Sequence, residues 1–452
     1  MTKITPELLE KFEFKVPRYT SYPTAPHFSP EVGSDTYVDW LKNQNPNEPI
    51  SLYIHVPYCD TLCWFCACNT QITSNYRRIE SYLKWLTEEA KLLHQYLGFK
   101  PKIARLHWGG GSPTLLQEDD WKMMGDLVHQ YFDFTDDAEL SVELDPRDIQ
   151  RSYTQTLFDV GINRASIGVQ DFEEDVQKAI NRLQPFEVVE EVVLGLRDVG
   201  IEDINLDIMY GLPYQTEERT IAMSEKCLKL KPKRVALFGY AHVPWMKPHQ
   251  NKIPEGELPG SWERYQQFKL IEDILSKNGL DAIGLDHFAV KEDSLHIAQR
   301  EGRMRRNFQG YTTDTATTLI GLGPSSIGSM HQGYVQNQAS ISMWKSELKQ
   351  GFLPVHKGLK LTDDDRMRRA IIEELMCNFS VDLDKVLAEY GHKDFILDSE
   401  LDALKLLENE ELVHVDGHKI SVEVEHRLFL RAAAAVFDVY LNKGKAKHSR
   451  AI

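Results

Sequence analysis

Cysteine is scarce in this chain: it accounts for 6 of 452 residues, and four of those six lie between positions 59 and 68. So few cysteines, gathered in one short segment, exclude the disulfide framework of a small secreted domain. Thiols that crowd together in a large protein indicate a metal or cluster site. A set of thiols without an evident disulfide partner is also typical of a reducing compartment, so we expect a cytoplasmic protein.

An excess of positive charge and long apolar runs are both absent. The chain has 52 lysines and arginines against 68 aspartates and glutamates, which gives a formal net charge of −16. Such a chain is poorly suited to nucleic acid or to an anionic membrane, and a polyanionic ligand would need a local basic pocket. No apolar run approaches the ~18 residues that span a bilayer, and the first residues lack the features of a secretion signal.

Short apolar runs alternate with longer amphipathic stretches between residues 51 and 240, which is the pattern of parallel β-α-β units. Helices are predicted at 79–96 and 187–199. Six units of this kind favour an α/β protein built on a partial (β/α)6 barrel. The predicted strands lie at 51–56, 103–108, 139–144, 164–168, 204–208 and 235–240.

Three regions follow from this pattern. Residues 1–50 are rich in proline and predict an irregular N-terminal arm, and residues 51–350 form the barrel and its extension. Within the extension we expect a helix at 261–277 and a strand at 281–288. Residues 361–452 predict a mainly helical C-terminal domain that begins at Thr362, contains a hairpin at Asp416-Gly417 and ends in a helix from Glu423. Its pattern resembles a winged helix, but on so acidic a chain we interpret it as a wall or lid of the active site.

The spacing of the clustered cysteines indicates which type of metal or cluster site they form. Cys59, Cys63 and Cys66 are separated by three and two residues, unlike the paired arms of a zinc ribbon or the run of a ferredoxin. Three thiolates at this spacing can hold three corners of a 4Fe–4S cube and leave one iron open to a small molecule, as catalytic zinc sites keep an open position. One residue separates Cys68 from Cys66, so we expect Cys68 near the cluster or the substrate. A structural zinc site and a simple electron-transfer cluster are the alternatives.

Polar residues and glycines stand at the ends of the other predicted strands. Because the carboxyl ends of parallel barrel strands form the active site, we expect these residues to lie together. Glycines at a strand end would let backbone atoms approach a cofactor, although a plain tight turn is the alternative. In chain order these residues are Gly109–Gly111, Glu143, Gln170, Asp207 and Ala241.

The segment Cys59–Cys66 resembles the cysteine motif of the radical SAM superfamily. Its flanks, 53–57 and 67–69, resemble one branch in particular, the oxygen-independent coproporphyrinogen III oxidases. Further segments resemble that family in the expected order along nearly the whole chain: 17–24, 107–114, 143–146, 168–172, 181–182, 207–213 and 306–311.

The resemblance implies a radical SAM barrel with a 4Fe–4S cluster on Cys59, Cys63 and Cys66 and two molecules of S-adenosylmethionine (SAM). The first SAM would contact Tyr53, Gly110, Glu143 and Ile327. The second would contact Phe65, Gly111, Ser112, Gln170, Arg182, Asp207 and Ala241. Family members often carry Thr where this chain has Ser112, and the hydroxyl is retained.

The implied activity is the anaerobic conversion of two propionates of coproporphyrinogen III to vinyl groups, within haem biosynthesis. Propionates pair well with guanidinium groups. The candidates are Arg18, Arg303, Arg305 and above all Arg306, which we place with Cys68 as catalytic. For 300–306 a solvated basic segment is the alternative. Asp286 and His287 form a further polar pair. We expect a monomer that receives electrons from a donor such as flavodoxin or ferredoxin.

Two other functions compete with this one. A haem-binding radical SAM relative, a haem chaperone, would be expected to lack Cys68 and the segment 18–22, and both are present here. A nucleotide-binding glycine motif could be sought at 321–326, but its third glycine is missing.

Overall fold

A computed structural model describes residues 3–12, 16–392 and 397–441. Its centre is a 12-stranded sheet, in which six strands lie side by side in chain order and are all parallel. Every strand predicted between 51 and 240 is confirmed. With strands numbered along the chain, they are β1 (Ile50–Val56), β4 (Lys102–Gly110), β5 (Asp133–Leu144), β6 (Arg164–Gln170), β7 (Asp203–Tyr210) and β8 (Arg234–Gly239).

Helices connect these strands and cover the sheet with their apolar faces. In the longest, α3, the buried side chains recur at helical spacing, and Gly98 ends the helix in a left-handed conformation. The helices predicted at 79–96, 187–199 and 261–277 are confirmed. The barrel and its extension contain α3 (Arg77–Leu97), α4 (Glu118–Tyr131), α5 (Tyr153–Asp159), α6 (Glu174–Ala179), α7 (Phe186–Asp198), α8 (Glu217–Lys229), α9 (Ser261–Lys277), α10 (Ser294–Arg300) and α11 (Ile341–Lys349).

The sheet continues past β1 with strands that the sequence pattern did not predict. β13 (Thr318–Leu322) is parallel to β1, and β14 (Ile327–Met330), β15 (Gly333–Asn337) and β16 (Val355–Lys360) follow antiparallel to one another. Of the glycine pair at 321 and 323, Gly321 lies within β13 and Gly323 lies in the β13–β14 connection. Gly323 has φ +91°, and a Cβ there would lie 2.6 Å from the carbonyl oxygen of His55.

At the other edge, the prediction of one strand over 281–288 is wrong. The segment forms an antiparallel hairpin of β9 (Asp281–Ile283) and β10 (His287–Ala289), and β10 pairs with β8. Gly284, at φ +54°, provides the reversal that a single strand could not contain.

Two short ribbons lie outside the large sheet: β2 (Tyr58–Cys59) with β3 (Gln71–Ile72), and β11 (Arg305–Asn307) with β12 (Gly310–Thr312).

The N-terminal arm is not irregular throughout, which corrects the prediction for 1–50. It contains α1 (Pro6–Phe12) and α2 (Ser34–Lys42). The arm packs on the C-terminal region, where the Phe12 ring meets Phe429 edge-to-face and the Tyr19 hydroxyl donates to Asp438 at 3.1 Å. Buried side chains of the arm, the barrel and the C-terminal region belong to one continuous core.

The C-terminal region is mainly helical, as predicted. Thr362 and Asp365 form a capping box at the start of α12, and Gly417 (φ +60°) lies in the predicted hairpin. The last predicted helix begins as a 3-10 turn and continues as α15. The elements are α12 (Asp363–Asn378), α13 (Leu383–Glu389), α14 (Asp398–Glu408), α15 (Leu430–Ala435), β17 (Ser380–Asp382), β18 (His414–Asp416) and β19 (Lys419–Ser421). Residues 442–452 of the predicted domain lie outside the described residues.

Among the described residues, none of the helices has both the length and the apolar character needed to cross a membrane. The boundaries between arm, barrel and C-terminal domain stay a prediction.

Glu89 of α3 is a buried carboxylate that ties the helix to one side of the sheet. It accepts hydrogen bonds from Gly323 N at 2.8 Å, Asn337 Nδ2 at 2.6 Å and Trp344 Nε1 at 3.1 Å. These partners lie after β13, on β15 and on α11. Burial raises the pKa of Glu89 from 4.5 to about 7, although the three hydrogen bonds act in the opposite direction.

The raised pKa of Glu89 predicts a pH dependence of stability. Because the folded protein holds this proton more tightly than the unfolded chain, the stabilisation is present below a pH of 4.5 and is lost as the pH rises through about 7. We expect the Tm of the anaerobic protein to fall more between about pH 5 and about pH 7 in the wild type than in Glu89→Gln, which cannot titrate. Exposed Glu10→Gln serves as the control, and equal falls in wild type and Glu89→Gln would contradict the assignment.

Candidate active site

The four clustered cysteines lie on a loop that follows β1 and is held from two sides. On one side, the loop pairs with the end of α6: Trp64 N donates to Ile180 O at 2.9 Å, and Asn181 Nδ2 donates to Leu62 O at 2.8 Å. On the other side, three side chains of the segment 241–253 bond successive loop carbonyls. Gln250 donates to Phe65 O at 3.0 Å, His249 donates to Cys66 O at 2.8 Å, and Lys247 donates to Cys68 O at 2.9 Å.

The surroundings of the thiols fit a thiolate-bound cluster. Cys63 is buried, and its sulfur accepts a hydrogen bond from Arg182 Nη1 at 3.5 Å. The Cys66 sulfur accepts one from Cys68 N at 3.4 Å. The thiol of Cys68, assisted by its backbone N–H and by Lys247, lowers the pKa of Cys66 to about 6, whereas burial raises the pKa of Cys59 to about 12. Positive charge and N–H groups directed at sulfur favour the deprotonated ligands that a cluster requires.

Cys68 lies beside Cys66 and is exposed. Its backbone N–H donates to the Cys66 sulfur, its thiol also acts on Cys66, and Lys247 holds its carbonyl. Its place next to the cluster ligands agrees with the expectation that it serves the substrate or the cluster surroundings, and its catalytic role stays a prediction.

The glycines at the end of β4 pack tightly against the start of the cysteine loop. Gly111 N donates to Val56 O and Ser112 N donates to Tyr58 O, both at 2.7 Å, so β4 stays bonded to the chain as it enters the cysteine loop. A Cβ on Gly111 would lie 2.3 Å from Tyr58 O, and one on Gly110 would lie 2.6 Å from the His55 ring. The missing side chains therefore make room for the protein's own chain, and their approach to a cofactor stays a prediction.

Glu143, at the end of β5, lies at the centre of the residues assigned to the first SAM. Its carboxylate accepts from Gly110 N at 3.0 Å and contacts His107 Nε2 at 3.2 Å. Although burial opposes ionisation, the His107 hydrogen bond and charge keep the pKa of Glu143 below its ordinary value. The side chain is still 44% exposed, since it faces the open end of the sheet. An ionised carboxylate held in this way suits a ligand's ammonium or hydroxyl groups.

Tyr53 lies on β1 and Ile327 on β14, and both strands lie on the same side of β5 in the order of the sheet. The Tyr53 ring stacks on His107 with centroids 5.9 Å apart, and its hydroxyl lies 2.9 Å from His55 Nδ1. Ile327 begins β14, beside the connection that packs on His55. His55 and His107 were not singled out as site residues, although both lie within segments that carry the family resemblance.

The residues assigned to the second SAM occupy the ends of β4, β6, β7 and β8. Gln170 has φ +64° at the end of β6, where it lies close to Arg182. Burial and the charge of Glu143 raise the pKa of Asp207 to about 6. The buried hydroxyl of Ser112 is bonded to Thr114 and Asp148, so a ligand at this position would meet the backbone rather than that hydroxyl.

Phe65 and Ala241 lie farther along the same side. Phe65 packs against an apolar cluster that includes Tyr240 and Ile253. Ala241 lines a cavity of about 420 Å³. The walls of this cavity come from β7, β8, α9, the arm and the C-terminal region. That the C-terminal region forms a wall of the active site stays a prediction.

The structure places the four candidate arginines in different surroundings. Arg18 lines the cavity. Arg303 pairs with Glu301 and Arg305 pairs with Glu373, and their side chains are 50% and 59% exposed. Arg306 lies over the Tyr311 ring at 4.2 Å and donates to Arg18 O at 3.3 Å, and it lines a smaller neighbouring pocket of about 40 Å³.

Two further arginines, Arg264 and Arg431, line the larger cavity and were missed from the sequence. Arg264 lies on α9 over the Tyr210 ring at 5.4 Å, and Arg431 lies on α15, where it donates to Pro17 O at 3.0 Å. Asp286 faces the same space. Burial disfavours its charge, but the hydrogen bond from His287 and the charges of Arg306 and Arg18 hold the pKa of Asp286 below its ordinary value. No local motif marks Arg264 or Arg431, because only the tertiary fold brings them together.

Comparisons with known proteins find similar sequences and a similar fold. The model of the radical SAM superfamily matches residues 53–227. An oxygen-independent coproporphyrinogen III oxidase from Bradyrhizobium diazoefficiens is 42% identical over 97% of this chain and 98% of its own, and one from Helicobacter pylori is 37% identical over 100% of both chains. The solved structure of coproporphyrinogen III oxidase from Escherichia coli, described as a radical SAM enzyme, superposes with a TM-score of 0.89 at 35% identity and covers 95% of this chain and 100% of that one.

The cysteine assignment predicts how iron binding responds to mutation. After anaerobic reconstitution with iron and sulfide, Cys59→Ala, Cys63→Ala and Cys66→Ala should each lose the cluster, because three thiolates hold it. Cys68→Ala should keep its iron and lose product formation. Iron and sulfide analysis with absorption spectra checks this. Loss of iron in Cys68→Ala, with retention in any of the other three variants, would refute the assignment.

The close packing at Gly110 predicts that a side chain at this position weakens SAM cleavage. Gly110→Ala places a methyl group 2.6 Å from the His55 ring at φ +112°, which should displace the backbone N–H that holds Glu143. We expect reductive cleavage of SAM to fall roughly tenfold or more, as backbone strain of a few kcal/mol at the site implies. Gly98→Ala also has a positive φ, of +73°, but no atom within 4 Å of the new methyl group. Similar losses in the two variants would show that the effect is general strain.

Proposed function

The chain belongs to the oxygen-independent coproporphyrinogen III oxidases, within the radical SAM superfamily, and from that premise we propose that it converts coproporphyrinogen III to protoporphyrinogen IX. In this reaction of haem biosynthesis, two propionate side chains become vinyl groups. Each loses a hydrogen atom from its β-carbon to a 5′-deoxyadenosyl radical, then carbon dioxide and one electron, which a one-electron acceptor takes up, and no molecular oxygen is needed. The chain is thus an oxidoreductase with a 4Fe–4S cluster and SAM as cofactors.

The observation that carries this proposal is the arginine-lined cavity beside the cysteine loop. Residues 241–253 connect the two: Ala241, His242 and Trp245 line the cavity, while Lys247, His249 and Gln250 bond the loop carbonyls. A tetrapyrrole in the cavity would therefore lie close to the cofactor side of the barrel. Apolar walls such as Phe238, Leu258 and Phe268 suit the flat macrocycle.

The charge of this cavity suits a polyanion. Arg431 is buried, and the nearby positive charges of Arg18 and Arg306 add to the burial, so its pKa is lowered to about 9. Three of the side chains that line the cavity, Arg18, Arg264 and Arg431, carry guanidinium groups. Propionates would pair with these groups through short, directional hydrogen bonds. We therefore assign propionate binding to Arg18, Arg264 and Arg431. Arg306 would hold Arg18 in place through its hydrogen bond to the Arg18 carbonyl oxygen.

The cofactor side is built from the residues at the strand ends. Cys59, Cys63 and Cys66 would hold the cluster, and Glu143 and Gly110 would bind polar groups of SAM. When bound, the reduced cluster and SAM supply the 5′-deoxyadenosyl radical that abstracts the β-hydrogen. The protein's part is to orient the substrate and to keep water from the reacting carbon. The second SAM would be held at the ends of β4, β6, β7 and β8, by the residues named above.

The proposed reaction also has requirements for an electron donor, a cellular compartment and an oligomeric state. The cluster has to be reduced, and a small protein such as flavodoxin or ferredoxin would supply the electron. Oxygen-sensitive chemistry and free thiols suit the cytoplasm. One core connects the arm, the barrel and the C-terminal region, so the site would be complete in a monomer.

The activity distinguishes this function from the haem-chaperone alternative. Reduced protein with cluster and SAM should release carbon dioxide from coproporphyrinogen III labelled in its propionate carboxyl groups. A haem chaperone would bind haem tightly and release none. Absence of labelled carbon dioxide from protein that cleaves SAM would refute the oxidase function.

The arginine assignment predicts a selective loss. Arg264→Lys keeps the charge but loses the planar fork, so coproporphyrinogen turnover should fall roughly tenfold or more, while SAM cleavage without substrate is spared. Arg303→Lys, on an exposed side chain, is the matched control. Arg306→Lys tests the earlier first choice: a larger loss there than in Arg264→Lys would place the propionates on the Arg306 side.

A further inference from the structure

Arg147 takes no part in the functions assigned so far, yet its guanidinium points at a cluster ligand. It lies in the short 3-10 turn Pro146–Asp148 that follows β5. Its Nη2 lies 3.7 Å from the sulfur of Cys63, within hydrogen-bond range for a sulfur acceptor. Arg182 approaches the same sulfur, with Nη1 at 3.5 Å. Two positively charged donors therefore converge on one of the three ligand sulfurs.

One carboxylate, Asp145, aims both guanidinium groups. Its Oδ2 accepts from Arg147 Nη2 at 2.6 Å and from Arg182 Nη1 at 2.9 Å, and these are the same two nitrogens that face the sulfur. Its Oδ1 accepts from Arg147 Nε at 2.9 Å, which makes the Arg147 contact a two-bonded fork. Each terminal nitrogen has two hydrogens, so each can bond the carboxylate and the sulfur at once.

The arrangement is shielded from water. The side chains of Asp145, Arg147 and Arg182 are 12%, 17% and 7% exposed, and Cys63 is the buried member of the ligand set. At such burial, charge interactions are much stronger than at a surface. Asp145 bonds both guanidinium groups and Asp148 lies near Arg147, but the charged groups within hydrogen-bond range of the sulfur are the two guanidinium groups.

We propose that Arg147, aimed by Asp145, is a positioning residue that makes the cluster easier to reduce. The inference rests on the cluster site of the proposed function. Adding an electron to a thiolate-bound cluster increases its negative charge, and hydrogen bonds to the sulfurs together with nearby positive charge stabilise that state. Radical formation begins only after this electron has arrived, so a donor to Cys63 would act on the first step without touching SAM or the tetrapyrrole.

A purely structural role for Arg147 predicts something different. An Asp145–Arg147 fork that only fixes the turn after β5 would affect stability or cluster retention, not the potential of a cluster that has formed. The reduction potential separates the two roles. It can be measured on the SAM-free holoenzyme, without any turnover.

The test compares three variants of the holoenzyme by anaerobic redox titration, with the spectrum of the reduced cluster as the signal. Arg147→Gln removes the charge and the fork. Arg147→Lys keeps the charge without the fork. Arg151→Gln is the matched control, because Arg151 is a nearby arginine whose side chain is 47% exposed and pairs with Glu191 and Asp198 instead. Iron and sulfide content and Tm are measured for each, so that only cluster-replete, folded protein is compared.

We expect Arg147→Gln to bind a full cluster whose midpoint potential is more negative, by about 59 mV for each tenfold loss in the one-electron reduction equilibrium. Arg147→Lys should fall between Arg147→Gln and wild type, and Arg151→Gln should match wild type. An unchanged potential in cluster-replete Arg147→Gln would overturn the inference. If Arg147→Gln forms no cluster, an unchanged potential in cluster-replete Arg147→Lys would overturn it. A wild-type protein that binds no cluster would instead count against the proposed function.

Discussion

The close packing of three strand ends around residues 55–58 is the constraint on which the site depends. β1 leads into the cysteine loop, and its neighbours β4 and β13 both approach its backbone at glycines. Gly111 and Ser112 donate to Val56 and Tyr58, and Gly323 approaches the carbonyl of His55. A side chain at any of these glycines would push the start of the loop away from the sheet. The position of Cys59 is therefore set by backbone contacts before any ligand is considered, and Glu143 is fixed by the same strand through Gly110.

The parts of this architecture that could be predicted from sequence are those with a local cause. The six parallel strands were found because each is an apolar run flanked by an amphipathic helix, and the strand-end residues followed from the direction of those strands. β13–β16 gave no comparable pattern, since short antiparallel strands with glycine and polar residues lack a clear period. The hairpin at 281–289 was taken for one strand because its reversal depends on the single residue Gly284. Arg264 and Arg431 were missed for another reason: nothing near them in the sequence records that α9 and α15 face one cavity.

The charge interactions within the site act at short range and differ from the long-range field of the whole chain. The chain as a whole is acidic, with a formal net charge of −16, so its general field repels a substrate that carries four carboxylates. Short, directional pairs in a desolvated cavity work against this field, because screening by salt removes long-range repulsion more completely than it removes contacts inside the protein. The same principle applies on the cofactor side, where guanidinium groups and backbone N–H groups lie within hydrogen-bond range of the ligand sulfurs. Both halves of the site thus place guanidinium groups at short range, beside carboxylates such as Asp286 and Asp145.

The segment 241–253 divides its residues between two neighbours, and this division has a consequence for protein engineering. Its first residues, such as His242 and Trp245, face the cavity, whereas Lys247, His249 and Gln250 hold the cysteine loop. A designer who wishes to admit a tetrapyrrole with different side chains can therefore vary positions 242 and 245 while keeping 247–250 constant. Exchange of the whole segment for that of a distant homologue would alter both functions together. Variant libraries should therefore change positions 242 and 245 without changing 247–250.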